Sequence, residues 1–514
     1  MHACRTFFAP APTMTTPALL RIAARALAAL LLVGTGAQVM AQDAIDPPGR
    51  VGRMTLAEGA VSFAAAGSSD WANIQTNRPL TRGDRLWVDR ASRGELHVGS
   101  TALRLGALTN LEILGLDDQS TEVNLTQGTL NLRIRDIVPG EHYEIGTPNL
   151  AVAISQPGEY RIDVDPARDS THVSVFSGAA TLYGENRETL SLSSGQNLVF
   201  SARNLAQAAP PGPIRHDSLD QWAQERDLQA DQSTAARYVS RDVIGYQQLD
   251  TYGEWRNDPA WGPVWIPRVS VADWAPYRYG HWNWIAPWGW TWIDDAPWGF
   301  APFHYGRWAY VGTRWAWVPG PRVTRPVYAP ALVAFVGGSG NIGPNWSIAV
   351  GGGQPGVAWF PLGPADVWRP GFRASRNYIS NVNRTVIVSR SPAALYANQQ
   401  RPGAVTAVST DDFGRTRPRS GYQRVPDAEL AGARVVEPPP VPGRNAPGGR
   451  ERFAPARALP PITVLNQPAP FAHAPQRFEA RGDSPHQDRG DNNRPARHGQ
   501  GHVHGQGHEP ERPR

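Results

Sequence analysis

One aromatic pattern, written three times between residues 252 and 320, restricts the fold more than any other feature of this chain. Tyr252-Gly253-Glu254-Trp255 recurs as Tyr279-Gly280-His281-Trp282 and as Tyr305-Gly306-Arg307-Trp308. Each copy is answered nine or ten residues later by a second tryptophan, in Trp265-Ile266-Pro267, Trp292-Ile293-Asp294 and Trp317-Val318-Pro319. A unit of 26 residues cannot bury its own apolar face, so units repeated at a fixed period have to stack. Within the block, Trp282 and Trp284, then Trp288, Trp290 and Trp292, then Trp315 and Trp317 lie two residues apart. In a strand such residues share a face, and Pro-Trp-Gly at 287–289 and 297–299 together with Asp258-Pro259 supply turns. Each repeat reads as an aromatic β-hairpin, and the three as a stack sharing one indole-lined face.

Those indoles have two readings. As core, each ring removes about 150–250 Å² from water, enough to stabilise a small β unit by a few kcal/mol per ring at about 25 cal/mol per Å². As a platform, Trp282, Trp284, Trp290, Trp292, Trp315 and Trp317 stay open to sugar rings, peptide or lipid head groups.

The N-terminus indicates export. Arg21 and Arg25 precede an apolar run from Ala26 to Val33, followed by small residues and Val39-Met40-Ala41. These are the parts of a secretory signal peptide with cleavage after Ala41, and the run is about half the 20 apolar residues of a membrane span. Cys4 is the sole cysteine and falls in the removed segment, so the mature chain has no disulfide, thiol or cysteine-zinc chemistry. Cleavage removes three arginines and no acids, taking the net charge from +5 to +2, too small a field to attract nucleic acid.

From Val51 to Ser201 the apolar period changes to two. Leu96 and Val98, Leu103 and Leu105, Val123 and Leu125, and Leu130, Leu132 and Ile134 alternate, as do Tyr160, Ile162 and Val164. Gln127-Gly128, Pro157-Gly158, Ser177-Gly178 and Ser194-Gly195 punctuate the runs as turns. The pattern predicts β-strands closing a sandwich or barrel-like core. This stretch resembles the FecR-type periplasmic domain. The resemblance is carried by Pro79-Leu80-Thr81-Arg82-Gly83-Asp84-Arg85-Leu86, Gly94 to Gly106, Leu125-Thr126-Gln127-Gly128, Gly146-Thr147-Pro148, Gly158-Glu159-Tyr160 and Val173-Ser174-Val175-Phe176-Ser177-Gly178. It implies the fold and an envelope location. The family is best known for transmembrane regulators of cytoplasmic sigma factors; with at most 25 residues before the apolar run, no cytoplasmic regulatory region is expected here.

The remaining boundaries follow from composition. Residues 204–245 read as a linker holding a short helix that starts at the capping box Ser218-Leu219-Asp220-Gln221 and runs to about Asp227. Residues 246–390 form the tryptophan-repeat module and look like an uncharacterised extension that often follows FecR-type domains, a resemblance that brings no chemistry with it. Residues 391–514, rich in Pro, Gly, Arg and Ala, read as a disordered tail, whose His498, His502, His504 and His508 are candidate metal ligands.

No Gly-x-Ser-x-Gly elbow, His-Glu-x-x-His pair or Walker loop is present. Asp294 and Asp295 could serve as paired carboxylates for glycan cleavage, but neighbours on one strand face opposite ways and Asp favours turns. His281 and His304 read as exposed, without an evident partner. The expectation is a mainly β, exported, non-enzymatic protein without cofactor. It would act in the periplasm as a binding or scaffold component, its partner an envelope protein or a cell-wall or exported polysaccharide.

Overall fold

The computed structural model describes residues 46–338, 346–387, 396–415, 421–423, 425–439 and 454–465. The export segment 1–41 and the four tail histidines lie outside these residues. Among the described residues no helix is long and apolar enough to cross a membrane.

The period-two region folds into two sheets around one apolar core. In the first, the order is Pro79–Leu80, Gly52–Glu58, Arg93–Val98, Thr101–Leu105, the second half of Ser120–Ile134, Gly158–Asp165, Ser170–Ser177, Gln196–Ser201 and Ala206–Gln207. The second runs Ala72–Asn73, Val61–Ala64, Arg85–Val88, Thr109–Leu116, the first half of Ser120–Ile134, His142–Gly146, Ala151–Ile154, Ala179–Tyr183 and Thr189–Ser193. The sheets do not close into a barrel. The alternating residues Leu96, Leu103, Leu130, Leu132, Tyr160 and Ile162 are buried between them, as the pattern requires.

Gly128 is not a turn. Ser120–Ile134 is one unbroken 15-residue strand that leaves one sheet and enters the other, with Gly128 at the crossing. Its φ of +92° and the closeness of Thr109 exclude a side chain there. Gly178 and Gly195 stand where the chain changes sheets, between Ser170–Ser177 and Ala179–Tyr183 and between Thr189–Ser193 and Gln196–Ser201.

A helix, α1 (Ser218–Asp231), follows. Its cap is Asp217 rather than Ser218, and the capping box is the reciprocal pair Asp217 and Asp220. The helix has no apolar face of consequence; it docks on the charged outer face of the first sheet through ion pairs. Arg161 holds Asp217 and Asp220 at 2.8 and 2.7 Å, Arg104 holds Asp227 at 2.7 Å, and Arg226 reaches Glu95 at 2.8 Å. Trp222 adds a buried ring beneath the Arg93 guanidinium.

All three repeats are hairpins: Gly253–Asp258 with Gly262–Pro267, Gly280–Ile285 with Gly289–Asp294, and Arg307–Val311 with Arg314–Val318. The register places the two landmark tryptophans of each copy opposite one another, Trp255 on Trp265, Trp282 on Trp292 and Trp308 on Trp317. The stack differs from a simple pile: the first and third hairpins join edge to edge through Trp265 and Trp317 into a four-stranded sheet, and the second stands as a separate pair. A further sheet is built on Gln354–Pro361, which pairs with Ile348–Val350, Val333–Gly337 and Thr406–Ser409, and Arg434–Val436 pairs with Val333–Gly337. Two of these strands lie beyond residue 390, so the module extends past the boundary that composition suggested. Each is too short to show a period.

Candidate functional site: the indole core and the seam between domains

The repeated glycine explains the motif. In every copy the second tryptophan lies over the glycine of Tyr-Gly-x-Trp: Trp265 over Gly253, Trp292 over Gly280 and Trp317 over Gly306. At Gly306, with φ of +67°, a Cβ would stand 2.5 Å from Trp317 Nε1. Strand alternation brings both rings to one face, and only a glycine leaves room for the indole to cross the pair.

Five of the six candidate binding tryptophans are buried, Trp282 at 3 %, Trp290 at 8 %, Trp292 at 0 %, Trp315 at 7 % and Trp317 at 0 % exposure, and only Trp284 is partly open. They form no exposed row. Their faces are taken by one another, with Trp282 edge-on to Trp292 and Trp284 edge-on to Trp290, each at 5.5 Å between centroids. Trp282 also meets Phe335 and Trp359 from the neighbouring sheet and Phe413 from the turn that follows Thr406–Ser409. Six of the polar edges are used internally on main-chain carbonyls, whereas those of Trp255 and Trp282 are buried without a hydrogen-bond partner. Trp265 donates to Leu249 O, Trp288 to Pro48 O, Trp290 to Pro439 O, Trp308 to Pro302 O, Trp317 to Tyr305 O and Trp359 to Tyr277 O, all at 2.8–3.1 Å.

Asp294 and Asp295 face opposite ways. Asp294 is buried and accepts from Ala296 N at 3.0 Å and Trp292 Nε1 at 3.1 Å, whereas Asp295 is exposed. Burial drives the Asp294 pKa well above the usual carboxylate range, its two donors offsetting only part of the effect. Asp294 closes a turn through its bond to Ala296 N. His281 and His304, expected at the surface, are both buried. His304 Nδ1 lies 2.8 Å from Ala329 O, and neither ring nitrogen of His281 has a hydrogen-bond partner. Burial lowers their pKa values to about 4 for His281 and about 3 for His304. Among the described residues no group of three His, Cys, Asp or Glu is arranged to hold a metal ion.

No residue pattern marks the seam that joins the sandwich to the tryptophan module. Arg53, on the first strand of the sandwich, is 1 % exposed and donates to Thr76 O, Asn77 Oδ1, Gln248 Oε1 and Pro297 O while lying over the Phe300 ring. Its partners are neutral oxygens, and burial brings its pKa down to about 9. Asn77 completes the clamp by donating both amide hydrogens, to Asp294 O at 2.7 Å and Ala296 O at 2.6 Å. Close by, the buried Glu141 is gripped at 2.6 Å by both Arg50 and Arg325, the latter from beyond the third repeat.

Beside this seam, α1, the 246–251 segment and the strands around Glu95 and Arg104 enclose a cleft of about 280 Å³ lined by Glu95, His97, Arg104, Arg226, Asp227 and Gln247. Its charges are paired within the walls. Burial works to raise the Glu95 pKa, but His97, Arg226 and Arg104 outweigh it and hold the group well below the usual range.

A family of unknown function (DUF6600) matches residues 246–366, the stretch that holds the three hairpins and most of the sheet beyond them. No match is found among curated proteins. Among solved structures the chain is similar to two crystal structures, at 1.65 and 2.50 Å resolution, of a protein from Parabacteroides distasonis ATCC 8503 designated an anti-sigma factor. Identity is 13 % and the TM-score 0.24 in both. The first alignment covers 27 % of this chain and 64 % of that one, just under two thirds, and the second covers 36 % and 99 %.

Proposed function

We propose that this chain is an exported, non-catalytic component of the cell envelope, a binding or scaffold protein in which a FecR-type domain and a tryptophan module work as one body. The observation that carries the scaffold reading is the use of the indoles: faces packed on one another and N–H groups donated to main-chain carbonyls. A ring spent in this way is unavailable for stacking on a sugar, which weighs against the glycan platform. The turn role of Asp294 weighs against glycan cleavage in the same manner. Export rests on the N-terminal pattern ending at Ala41.

Two measurements test the reading. N-terminal sequencing of the protein from the periplasmic fraction should begin at Gln42; recovery from the cytosol with residues 1–41 attached would refute export. Tryptophan emission should be blue-shifted, resistant to acrylamide, and unmoved by peptidoglycan or exopolysaccharide fragments. A saturable change with any of these would overturn the scaffold reading in favour of the glycan one.

A further inference from the structure

Ala72–Asn73 is the first strand of the second sheet, and its outer side is occupied by residues from near the far end of the chain. Asn73 N donates to Ala454 O at 3.0 Å, Ala456 N to Trp71 O at 3.3 Å and Arg457 N to Asn73 Oδ1 at 2.9 Å. Ser62 Oγ donates to Ala458 O at 2.7 Å. On the side of the added segment every one of these bonds is made by main chain. Its large apolar side chains remain outside, Leu459 at 63 % and Ile462 at 69 % exposure. Main-chain pairing on a sheet edge tolerates sequence change. A covalently attached segment competes with a free peptide for such an edge at a raised effective concentration.

We propose that the Ala72–Asn73 edge is a peptide-docking site and that Ala454–Ala458 is its tethered occupant, displaced when an extended peptide of a partner protein adds to the same edge. The inference names the kind of partner for the binding component proposed above and rests on that reading. The bonding pattern defines what fits. Ala454 and Pro455 are exposed and set no size limit, proline is accepted at the second position because its nitrogen is unused, and proline is excluded at the next two, whose N–H groups donate.

The test uses the full chain with a protease site placed between residues 440 and 453, and a labelled peptide of residues 451–465 as probe. After cutting and removal of the C-terminal fragment, the peptide should bind at least about tenfold more tightly than it does to the uncut chain. The A456P peptide should lose binding, and the L459A peptide should keep it. Equal affinity before and after cutting, or an A456P peptide as good as the parent, would overturn the proposal. Hydrogen exchange on the uncut chain gives a second measure. The Ala456 and Arg457 amides should exchange well before those of the sandwich core, and equal protection would mean that the segment is not displaceable. Either failure leaves the emission and N-terminal results, and so the scaffold reading, standing by themselves.

Discussion

Replacing Asn77 with alanine should loosen the joint between the two folded bodies. The amide donates to Asp294 O and Ala296 O and accepts from the Arg53 guanidinium at 2.9 Å, in a site where Asn77 is 3 % exposed. At about 1 kcal/mol for each neutral bond and about 2 kcal/mol for the charged one, the loss is about 4 kcal/mol. Asn77→Asp should cost more, because it sets carboxylate oxygens against the two carbonyls. Urea unfolding followed by far-UV circular dichroism reports mainly the sandwich, and tryptophan emission mainly the module. The parent should give coincident transitions, and the variant an earlier emission transition separated from the other. The exposed Asn204→Ala serves as control, within about 0.5 kcal/mol of the parent. An Asn77→Ala protein equally close to the parent would refute the assignment of the seam to this residue.

Trp317→Ala, at a fully buried ring, should destabilise by about 3–5 kcal/mol in chemical denaturation, and Trp284→Ala, at a partly exposed one, by less than half as much. Gly306→Ala meets both a positive φ and Trp317, and should cost at least about 1 kcal/mol by the same measurement. Stability should fall on acidification: His281 and His304 have folded pKa values of about 4 and about 3, so the unfolded chain takes up protons first as pH drops below about 6.5, and the loss continues through those two values. Glu95, held low, acts in the same direction, whereas Asp294, held high, stabilises below its unfolded pKa and loses that contribution as pH rises, so Asp294→Asn should steepen the acid loss in a pH series of thermal unfolding.

The hairpins and their facing tryptophans were legible because a two-residue alternation and a fixed period are local properties of the chain. How the hairpins join was not, since the contact of Trp265 with Trp317 depends on edges that no local pattern marks. Gly128 was misleading because glycine marks a turn and a bend within a strand alike. Arg53, Asn77, His281 and His304 look like surface residues to any reading by residue type; Arg53 and Asn77 are buried where the sandwich meets the module, and His304 is buried within the module against Phe300, Tyr328 and Ala329. The strands Thr406–Ser409 and Arg434–Val436 are short apolar islands in Pro- and Gly-rich sequence, which is how disorder also reads.

A single strand belongs to both sheets of the sandwich, turning at Gly128 from one to the other. The sheets therefore cannot slide past each other without distorting a continuous backbone, and a pull applied at one reaches the other through covalent bonds instead of through side-chain packing alone. Such a spine makes one stiff element of two layers.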